Sequence, residues 1–407
     1  MSEAAPFDVA IVGGGPVGAC LGALLARSAR RARVVLLEPQ VPPPPAAGAP
    51  PDTRVVAISR ASERVLRVAG AWPQIAGPRV CAYERMRVWH ESASAQGPGA
   101  LVFDAADVGE PNLGYILENR LLQTSLLGAF TAAGGELQPT PLGALRIGED
   151  RVVIETARAV LEARLVVGAD GAQSALRQAA GLSAEVSDYR ETAIVGTVAT
   201  ERPHEHTAWQ RFMRDGTLAF LPLFDGTSSI VWSADEAVAA RLVAADAADF
   251  ARELDRASDL ALGATRLVGE RASFGLRRLA APRYIARRVA LVGDAAHVVH
   301  PLAGQGVNLG LLDAAALAQL VAAGLAAGED PGSLALLRAY ERWRKSEVAI
   351  MAAAIDSFDR LLSHGTGPLA RLAQHGLGWV NRSQELRRFF IRRALGMSGE
   401  LPQAAAR

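Results

Sequence analysis

The sequence has almost no cysteine. Its 407 residues include two, Cys20 and Cys81, which form no Cys-x-x-Cys pair. A disulfide framework, a cysteine-ligated zinc site and a dithiol redox centre are therefore excluded as organising features. The sequence predicts no metal ion and fits a reducing cytoplasm.

An excess of charge of one sign is also lacking. Lys and Arg together number 43, and Asp and Glu 42, so the net charge is +1. No basic field of the kind that binds nucleic acid is present, and no run of like charges indicates a solvating tail. Half of the residues are hydrophobic, which is enough to bury the cores of two domains in a chain of this length.

The sequence has no clear membrane-spanning run. The uncharged segment from Ala295 to Leu312 contains His, Pro, Gln and Asn, and the one from Ala314 to Gly328 stops at 15 residues. Near the N-terminus, Glu3 and Asp8 stand where a secretory signal places basic residues. The sequence predicts a cytoplasmic protein that does not cross a bilayer.

The chain begins with the pattern of a dinucleotide-binding unit. An apolar run ends at Val12, and G-x-G-x-x-G, a helix from Val17 to Arg30 and a second strand ending just before Glu38 follow. The glycines allow a tight turn and a close approach to a pyrophosphate, and Glu38 suits an unphosphorylated ribose, as in FAD or NAD. The alternative is a plain tight turn.

The most informative stretch is Gly293 to Gly310, GDAAHVVHPLAGQGVNLG. It follows the apolar run VALV and leads into an Ala/Leu helix, the arrangement that holds a polar cofactor at the carboxyl edge of a sheet. Gly304 and Gly306 permit close backbone approach to an electron-rich ring edge, and Asp294 suits a polyol hydroxyl. The alternative is an ordinary turn with a solvated Asp.

Other polar residues lie at strand ends between these two stretches. Arg54 can contact phosphate or a cofactor ring, with a surface ion pair as the alternative. In GYILENRLLQ, Asn119 is a candidate helix cap and Arg120 lies in the first turn. The turn GADG, which contains Asp170, is expected near phosphates, with a simple strand-ending turn as the alternative.

Antiparallel strands are predicted in the middle of the chain, at residues 193–198, 208–212, 218–223 and 229–233. Such a meander can floor an apolar pocket. The candidate lining residues are Trp209, Phe212, Phe220, Leu221 and Trp232. Plain core packing is the alternative for each aromatic residue.

Helices close the chain, from Ser333 to Leu362 and from Leu369 to Leu395. Near the end, Phe389 and Phe390 alternate with arginines. This basic amphipathic pattern is typical of contact with a membrane surface or a partner helix, and a docked helix with a solvated basic face is the alternative.

Together these stretches make the chain resemble, nearly end to end, the single-component flavin hydroxylases of ubiquinone biosynthesis, the UbiH/UbiF/UbiI group. The most specific part is HPLAGQGVNLG (His300 to Gly310), supported by LGYILEN, LAFLPL and RRALG. The resemblance implies FAD, NAD(P)H as reductant, O₂, and hydroxylation of an electron-rich phenol in a dry site.

The resemblance also implies roles for residues. The first glycines would meet the FAD pyrophosphate, Glu38 the adenosine ribose, and Asp294 the ribityl chain or pyrophosphate, while the backbone from Pro301 to Asn308 would meet the flavin ring. The predicted cofactor residues are Gly13, Gly15, Pro16, Val17, Gly18, Glu38, Arg54, Arg120, Asp170, Gly293, Asp294, Pro301, Gly304, Gln305, Gly306, Val307 and Asn308.

Few side chains are expected to take part in the reaction itself. His300, Pro301 and Gly304 are the candidates, through backbone and pocket roles, and His300 can assist deprotonation of the phenol. His297 is expected to be a scaffold residue. No side chain is required as a nucleophile.

The segments PDTRVVAIS, SIVWS and YERWRKS look most like the branch that hydroxylates 2-polyprenylphenol at ring position C5. Hydroxylation of a demethoxyquinol, or at C1, is the alternative. The implied partners are a polyprenylated phenol or quinol, O₂, a ubiquinone-biosynthesis complex and the surface of the inner membrane, and nucleic acid is not among them.

The expected fold is α/β: a Rossmann-like FAD-binding domain, an interleaved antiparallel substrate sheet and C-terminal helices. The FAD-binding parts are residues 1–75, 105–180 and 276–330, the substrate parts are 76–104 and 181–275, and the helices are 331–407.

Three other functions are the alternatives to this one. A nicotinamide dehydrogenase leaves Gly293 to Gly310 unexplained, and a flavin halogenase is expected to carry W-x-W-x-I-P, which is absent. A catalytically idle FAD-binding scaffold would bind FAD tightly without turning over any phenol.

Overall fold

The computed structural model describes residues 5–28, 32–300, 304–362 and 383–406. The strands are β1 (Phe7–Val12), β2 (Val34–Leu37), β3 (Val55–Ser59), β4 (Cys81–Tyr83), β5 (Arg85–His90), β6 (Leu101–Asp104), β7 (Gly114–Glu118), β8 (Glu136–Gln138), β9 (Leu145–Ile147), β10 (Val152–Glu155), β11 (Val160–Gly168), β12 (Glu185–Thr200), β13 (Thr207–Met213), β14 (Gly216–Pro222), β15 (Ser228–Asp235), β16 (Thr265–Ala280), β17 (Ile285–Ala286), β18 (Val289–Leu291) and β19 (His297–Val298).

The helices alternate with these strands and then close the chain. They are α1 (Pro16–Ser28), α2 (Arg60–Val68), α3 (Trp72–Ile75), α4 (Asn119–Ala132), α5 (Ala175–Ala179), α6 (Glu236–Ala244), α7 (Ala247–Ser258), α8 (Gln305–Ala326), α9 (Leu334–Leu362) and α10 (Gln384–Ala394), with 3₁₀ turns at Ala105–Val108 and Gly293–Ala295.

The first sheet is the nucleotide-binding sheet, in the order β17-β18-β11-β1-β2-β8. The strands from β18 to β8 in this order run parallel, and β1 and β2 are almost entirely buried, as apolar strands covered on both faces must be. Val12 pairs with Gly168, and Gly168 with Leu291. The loops that follow β1, β11 and β18 therefore meet at one carboxyl edge, where such sheets bind ligands.

The second sheet has the order β19-β16-β12-β15-β14-β13-β5-β6 and is antiparallel except for the β13–β5 pair. Side chains alternate between its two faces. One face packs on α6 and α7 through a core that contains Phe220, Trp232 and Phe250. The opposite face is turned toward the carboxyl edge of the nucleotide sheet.

The structure shifts some of the predicted segment boundaries. β16 stays in the substrate sheet as far as Ala280, which pairs with Glu185, and β19 joins the same sheet. Residues 276–280 and 297–298 therefore lie in the substrate sheet rather than in the FAD-binding part. β4 joins a small sheet with β3 and β7 and not the large one.

The structure corrects the predicted N-cap of α4 and describes only part of the second predicted C-terminal helix. Asn119 is the first residue of α4, and Glu118 occupies the cap position without a side-chain cap bond, so the predicted Asn119 cap is wrong. Of the second C-terminal helix, the described part is α10, and the predicted residues 369–382 lie outside the described residues.

Helix α8 is long and apolar enough to cross a membrane by length and composition, which corrects the expectation that no such run exists. In the structure, 67% of its apolar window is buried. Gly310 lies against α1, where an added Cβ would meet a Val17 methyl at 2.5 Å. Asp313 of this helix is fully buried and contacts His297 and Arg344. Helix α8 is packed as a core helix.

Candidate active site

One cavity of about 1110 Å³ joins the carboxyl edge of the nucleotide sheet to the open face of the substrate sheet. Of the predicted cofactor residues, those on its wall are Gly13, Gly15, Pro16, Val17, Glu38, Arg54, Asp170, Asp294, Gly304, Gln305, Gly306 and Val307. Gly18, Arg120, Gly293 and Asn308 are not on the wall, and Pro301 lies outside the described residues. Contact of the wall residues with FAD stays a prediction.

The three glycines of the first motif, Gly13, Gly15 and Gly18, have different structural roles. Gly13 has φ +103, and a Cβ there would lie 2.4 Å from the carbonyl oxygen of Ala169. A Cβ on Gly18 would come within 1.9 Å of the Gly13 carbonyl oxygen, so this glycine lets the helix pack on the strand. Gly15 faces open space. It is the position at which a pyrophosphate can approach the backbone.

Glu38 and Gln123 hold this glycine turn from both sides. The Gly14 amide donates to Oε2 of Glu38 at 2.7 Å, and Nε2 of Gln123 donates to the Gly14 carbonyl at 2.9 Å. Gln123 and Asn119 both line the cavity one helical turn apart. Sequence reasoning missed Gln123, although its spacing from Asn119 on a helix that follows a strand was a usable signal.

Two carboxylates stand at the same edge with different surroundings. Asp170 accepts from the Ser174 hydroxyl and from the Leu176 amide at 3.1 Å, so it fixes its own turn. Asp294 faces the cavity, and among the described residues no donor contacts its carboxylate. The Asp294 side chain is exposed to the cavity, yet desolvation by the surrounding protein raises the pKa of Asp294, opposed by the electrostatic influence of His297 and Arg54. This carboxylate is placed to accept hydrogen bonds from a ligand.

The two predicted arginines, Arg54 and Arg120, have different positions relative to the cavity. Arg54 is exposed on the cavity wall. Arg120 is not on the wall, because Asp52 holds its guanidinium through two bonds of 2.6 and 2.9 Å. Arg120 thereby fixes Asp52 in the loop before β3, and its contact with the cofactor stays an untested prediction.

The start of α8 forms another part of the wall. Gly304 has φ +62, and its Cβ position lies 3.1 Å from Cβ of Ala57, while Gly306 faces open space. The unpaired amides and partial positive charge of a helix N-terminus favour an electron-rich ring edge here. The side chain of Asn308 instead donates to the Ala57 and Gly304 carbonyls at 2.9 and 3.1 Å, which explains why it is not on the wall.

Asp313 is the buried centre that holds this region together. It accepts from the Gly293 amide at 3.1 Å, from Nε2 of His297 at 2.6 Å and from Nε of Arg344 at 2.7 Å. Burial alone would raise the pKa of Asp313, but the charges and hydrogen bonds of His297 and Arg344 outweigh it and lower that pKa. The contact gives His297 a scaffold position.

His300 does not lie in the cavity. Its ring is buried, with Nε2 3.3 Å from Oε2 of Glu191 and the edge of Tyr189 at a centroid distance of 4.9 Å. His300 is not among the residues that line the cavity, and its role as a base for the phenol stays an untested prediction. The ring ties the loop before α8 to β12.

The five predicted pocket residues lie in different surroundings in the structure. Leu221 lines the cavity. Trp209 borders the cavity, but its side chain lies on the other face of the sheet, where it packs with its register partner Phe220 against the core. Phe220 and Trp232 lie in the core behind the sheet, and Phe212 packs with Val299 and Leu309. Strand alternation explains the error, because the neighbours of Phe220 and Trp232 face the cavity instead. The wall residues on strands β13, β14 and β15 that were not predicted are Ala208, Gln210, Thr217, Ala219, Ser229, Val231 and Ser233.

The chain is similar to known proteins over nearly its whole length. A family model described as an FAD binding domain matches residues 151–354. Ubiquinone hydroxylase UbiL of Rhodospirillum rubrum is 38% identical, covering 96% of this chain and 89% of that protein. The 3-demethoxyubiquinol 3-hydroxylase of Escherichia coli is 36% identical, covering 96% and 99%. The human mitochondrial ubiquinone biosynthesis monooxygenase COQ6 is 31% identical, covering 94% and 91%.

Solved structures share the fold at lower identity. The p-nitrophenol 4-monooxygenase PnpA of Pseudomonas putida has a TM-score of 0.76 at 20% identity and covers 96% of this chain and 98% of its own. The flavin-dependent brominase Bmp2 has a TM-score of 0.75 at 15% identity and covers 97% and 94%. At such identities the likeness concerns the fold alone, whereas the sequence relatives identify the family. The chain belongs to the FAD-dependent hydroxylases of ubiquinone biosynthesis and is a flavoprotein monooxygenase.

Proposed function

We propose that the protein hydroxylates the aromatic ring of a polyprenylated phenol, with the ring held on the substrate sheet beneath the start of α8. The observation that carries the proposal is the continuity of the cavity. One limb is lined by Gly13, Gly15, Glu38 and Asp294, and the other by small apolar and hydroxyl side chains of the sheet. A dinucleotide and a ring substrate can thus share one enclosed space.

The residues of the first limb fit FAD. Gly15 and Gly306 leave open space where a side chain would block close approach, and Asp294 offers a carboxylate without a protein donor among the described residues. FAD, when bound, accepts a hydride from NAD(P)H and activates O₂ for the hydroxylation. Gly13, Gly15 and Glu38 would hold its adenosine diphosphate end, and Asp294 and residues 304–307 its reacting end.

The second limb positions the ring without a strong base. Among the described residues, the ionisable ones on the wall are Glu38, Arg54, Tyr83, Asp170 and Asp294, and of these Tyr83 lies on the substrate side. Burial raises the pKa of Tyr83 to about 12, so its phenol stays protonated at neutral pH. Neutral donors such as Ser229 and Gln210 would orient the substrate oxygen, and apolar walls would exclude water.

The proposed ring position is C5 of a 2-polyprenylphenol, supported by the segments PDTRVVAIS, SIVWS and YERWRKS. A second candidate is hydroxylation of a demethoxyquinol, which is favoured by the name of the Escherichia coli relative at 36% identity. Both reactions place a prenylated ring in the same limb. The two differ in which ring carbon is presented to the cofactor.

Deletion of the gene in a ubiquinone-producing host, with mass spectrometry of the accumulated intermediate, tests the assignment. An accumulated polyprenylphenol that lacks the C5 oxygen supports the first candidate, and an accumulated demethoxy intermediate supports the second. An unchanged quinone pool in a host without a second such hydroxylase would reject both.

We propose further that the protein works in the cytoplasm at the surface of the inner membrane. The support is α10, on which Phe389 is 56% exposed and Arg388 and Arg392 are also exposed. Co-sedimentation with anionic vesicles tests this, and binding that is the same after Arg392→Glu would contradict it.

A further inference from the structure

We propose that a row of side chains across the substrate sheet binds the isoprenoid tail of the substrate and directs it toward the apolar residues under α10. The inference deepens the proposed function and rests on it. The row, called here the tail track, consists of Leu221, Ala208, Met86 and Phe103, and its polar end is Ser229.

Strand register aligns these residues. Leu221 pairs with Ser229, Ala208 with Met86, and Met86 with Phe103. Trp209 pairs with Phe220, which brings Ala208 beside Leu221. The row therefore takes one residue from each of five adjacent strands, all on the cavity face. Four interstrand spacings give it a length of roughly 19 Å.

The row is polar at one end and apolar along the rest. Ser229 is 1% exposed, and its hydroxyl has no hydrogen-bond partner in the described structure. A buried hydroxyl without a partner is costly unless a ligand supplies one. From Leu221 onward no side chain of the row can donate or accept a conventional hydrogen bond. The ligand that matches this order carries one polar group and a long hydrocarbon chain.

The polar end lies next to the cofactor limb. Leu221 packs in one cluster with Ala57 and Ile116. Ala57 in turn lies 3.1 Å from the Cβ position of Gly304, at the start of α8. A ring held by Ser229 is thus placed beside the part of the wall assigned to the reacting end of FAD, and the tail runs from there along the sheet toward β6. Met86 and Phe103 also pack against Val299 and Leu309, so this part of the track passes beside α8.

The far end of the track continues into an apolar cluster under α10. Met86 and Phe103 pack there with Leu113, Ile391 and Leu395, and all five residues line the cavity. Helix α10 is anchored beside them, because Nε of Arg388 donates to the Asp107 carbonyl at 2.8 Å. This end offers continuous hydrocarbon contact.

The opposite end of the cavity has another character. Phe274 on β16 lines it and is 50% exposed, so a tail there would face water. Phe274 is therefore a matched control for Met86. Both are large apolar wall residues on strands of the same sheet, and they lie toward opposite ends of the cavity.

The test compares holoenzyme variants on two ligands, a phenol with a farnesyl tail and the same phenol without a tail. Met86→Trp fills the track, and Phe274→Trp fills the other end. For Met86→Trp we expect the preference for the tailed phenol, measured as the ratio of kcat/KM values, to fall about tenfold or more, because several buried methylenes lose their place. For Phe274→Trp the ratio should stay within about twofold.

The dissociation constants of both phenols, read from the perturbation of the flavin spectrum, separate this inference from the proposed reaction. If wild type binds the tailed phenol preferentially and Met86→Trp abolishes that preference, the track is supported even without turnover, and only the reaction is rejected. Equal weakening of both ligands in Met86→Trp, or a tail-specific loss in Phe274→Trp, overturns the track. Should Met86→Trp fail to fold, Ala208→Leu obstructs the same row and carries the same expectations.

Discussion

The two limbs of the cavity are built on opposite plans. In the nucleotide limb, backbone turns form much of the wall, and two polar side chains are already engaged: Glu38 with Gly14 and Asp170 with Ser174. In the substrate limb, strands present small side chains, and the buried hydroxyl of Ser229 has no partner in the described structure. The first limb is preorganised for a constant ligand, and the second leaves room for a variable one.

The largest effect is expected at the buried centre between the limbs. Asp313→Ala leaves His297 and Arg344 without their shared partner and should reduce the free energy of unfolding by about 3–5 kcal/mol. Because the fold lowers the pKa of Asp313, this contribution is complete above about pH 4 and is lost as the pH falls through the folded-state value. Urea unfolding from pH 3 to 7 measures it, and a difference independent of pH would contradict the ionic explanation.

In the nucleotide limb, Asp294 is expected to lower the stability of the FAD-free protein and to strengthen FAD binding. Because desolvation raises the pKa of Asp294, its ionised carboxylate lowers the free energy of unfolding of the FAD-free protein. This destabilisation is complete above the raised pKa and absent below about pH 4, where the carboxyl is protonated in both the folded and the unfolded state. Asp294→Asn should therefore raise the Tm of the apoprotein at neutral pH and weaken FAD binding about tenfold or more. Calorimetry and flavin fluorescence test both. A lower Tm combined with unchanged FAD affinity would refute the assignment.

The glycines of the first motif separate folding from binding. Gly18→Ala places a Cβ against the Gly13 carbonyl and should cost about 1–3 kcal/mol of stability. Gly15→Ala enters open space and should leave the Tm of the apoprotein nearly unchanged while it weakens FAD. The pair serves as its own control, and equal Tm losses would show that Gly15 does not face a ligand.

In the substrate limb, Ser229→Ala should change binding and not folding. Loss of one hydrogen bond to the ring should raise KM for the phenol about fivefold, while removal of an unpaired buried hydroxyl should leave the Tm the same or higher. Steady-state kinetics at saturating NAD(P)H measure the first effect. A clear drop in Tm would mean that the hydroxyl has a structural partner in solution.

The smallest catalytic effect is expected at His300, which lies outside both limbs. His300→Gln should keep the pH profile of kcat, with a loss far below the roughly hundredfold drop that removal of a general base causes. A shifted acid limb in that profile would restore His300 as a base and break the account of a substrate limb without one.

More of the nucleotide limb than of the substrate limb could be predicted from the sequence, for a physical reason. A phosphate-binding turn needs glycines at fixed spacing, so the places of Gly13, Gly15 and Gly304 could be predicted. A hydrocarbon pocket has no such constraint. Aromatic residues in strands were therefore natural candidates, yet Phe220 and Trp232 face the core, and the alternation that decides this cannot be oriented from the strand alone. The ion pair of Arg120 with Asp52 and the burial of His300 depend on tertiary contacts between distant segments.

The most direct test of the central claim, one cavity shared by FAD and a prenylated phenol, is a single assay of the purified holoenzyme with isotopically labelled dioxygen. The account predicts that a polyprenylated phenol accelerates NAD(P)H oxidation and gains one labelled oxygen atom on its ring. Tight FAD binding with no labelled product from any polyprenylated phenol or quinol would contradict it and identify the protein as an FAD-binding scaffold.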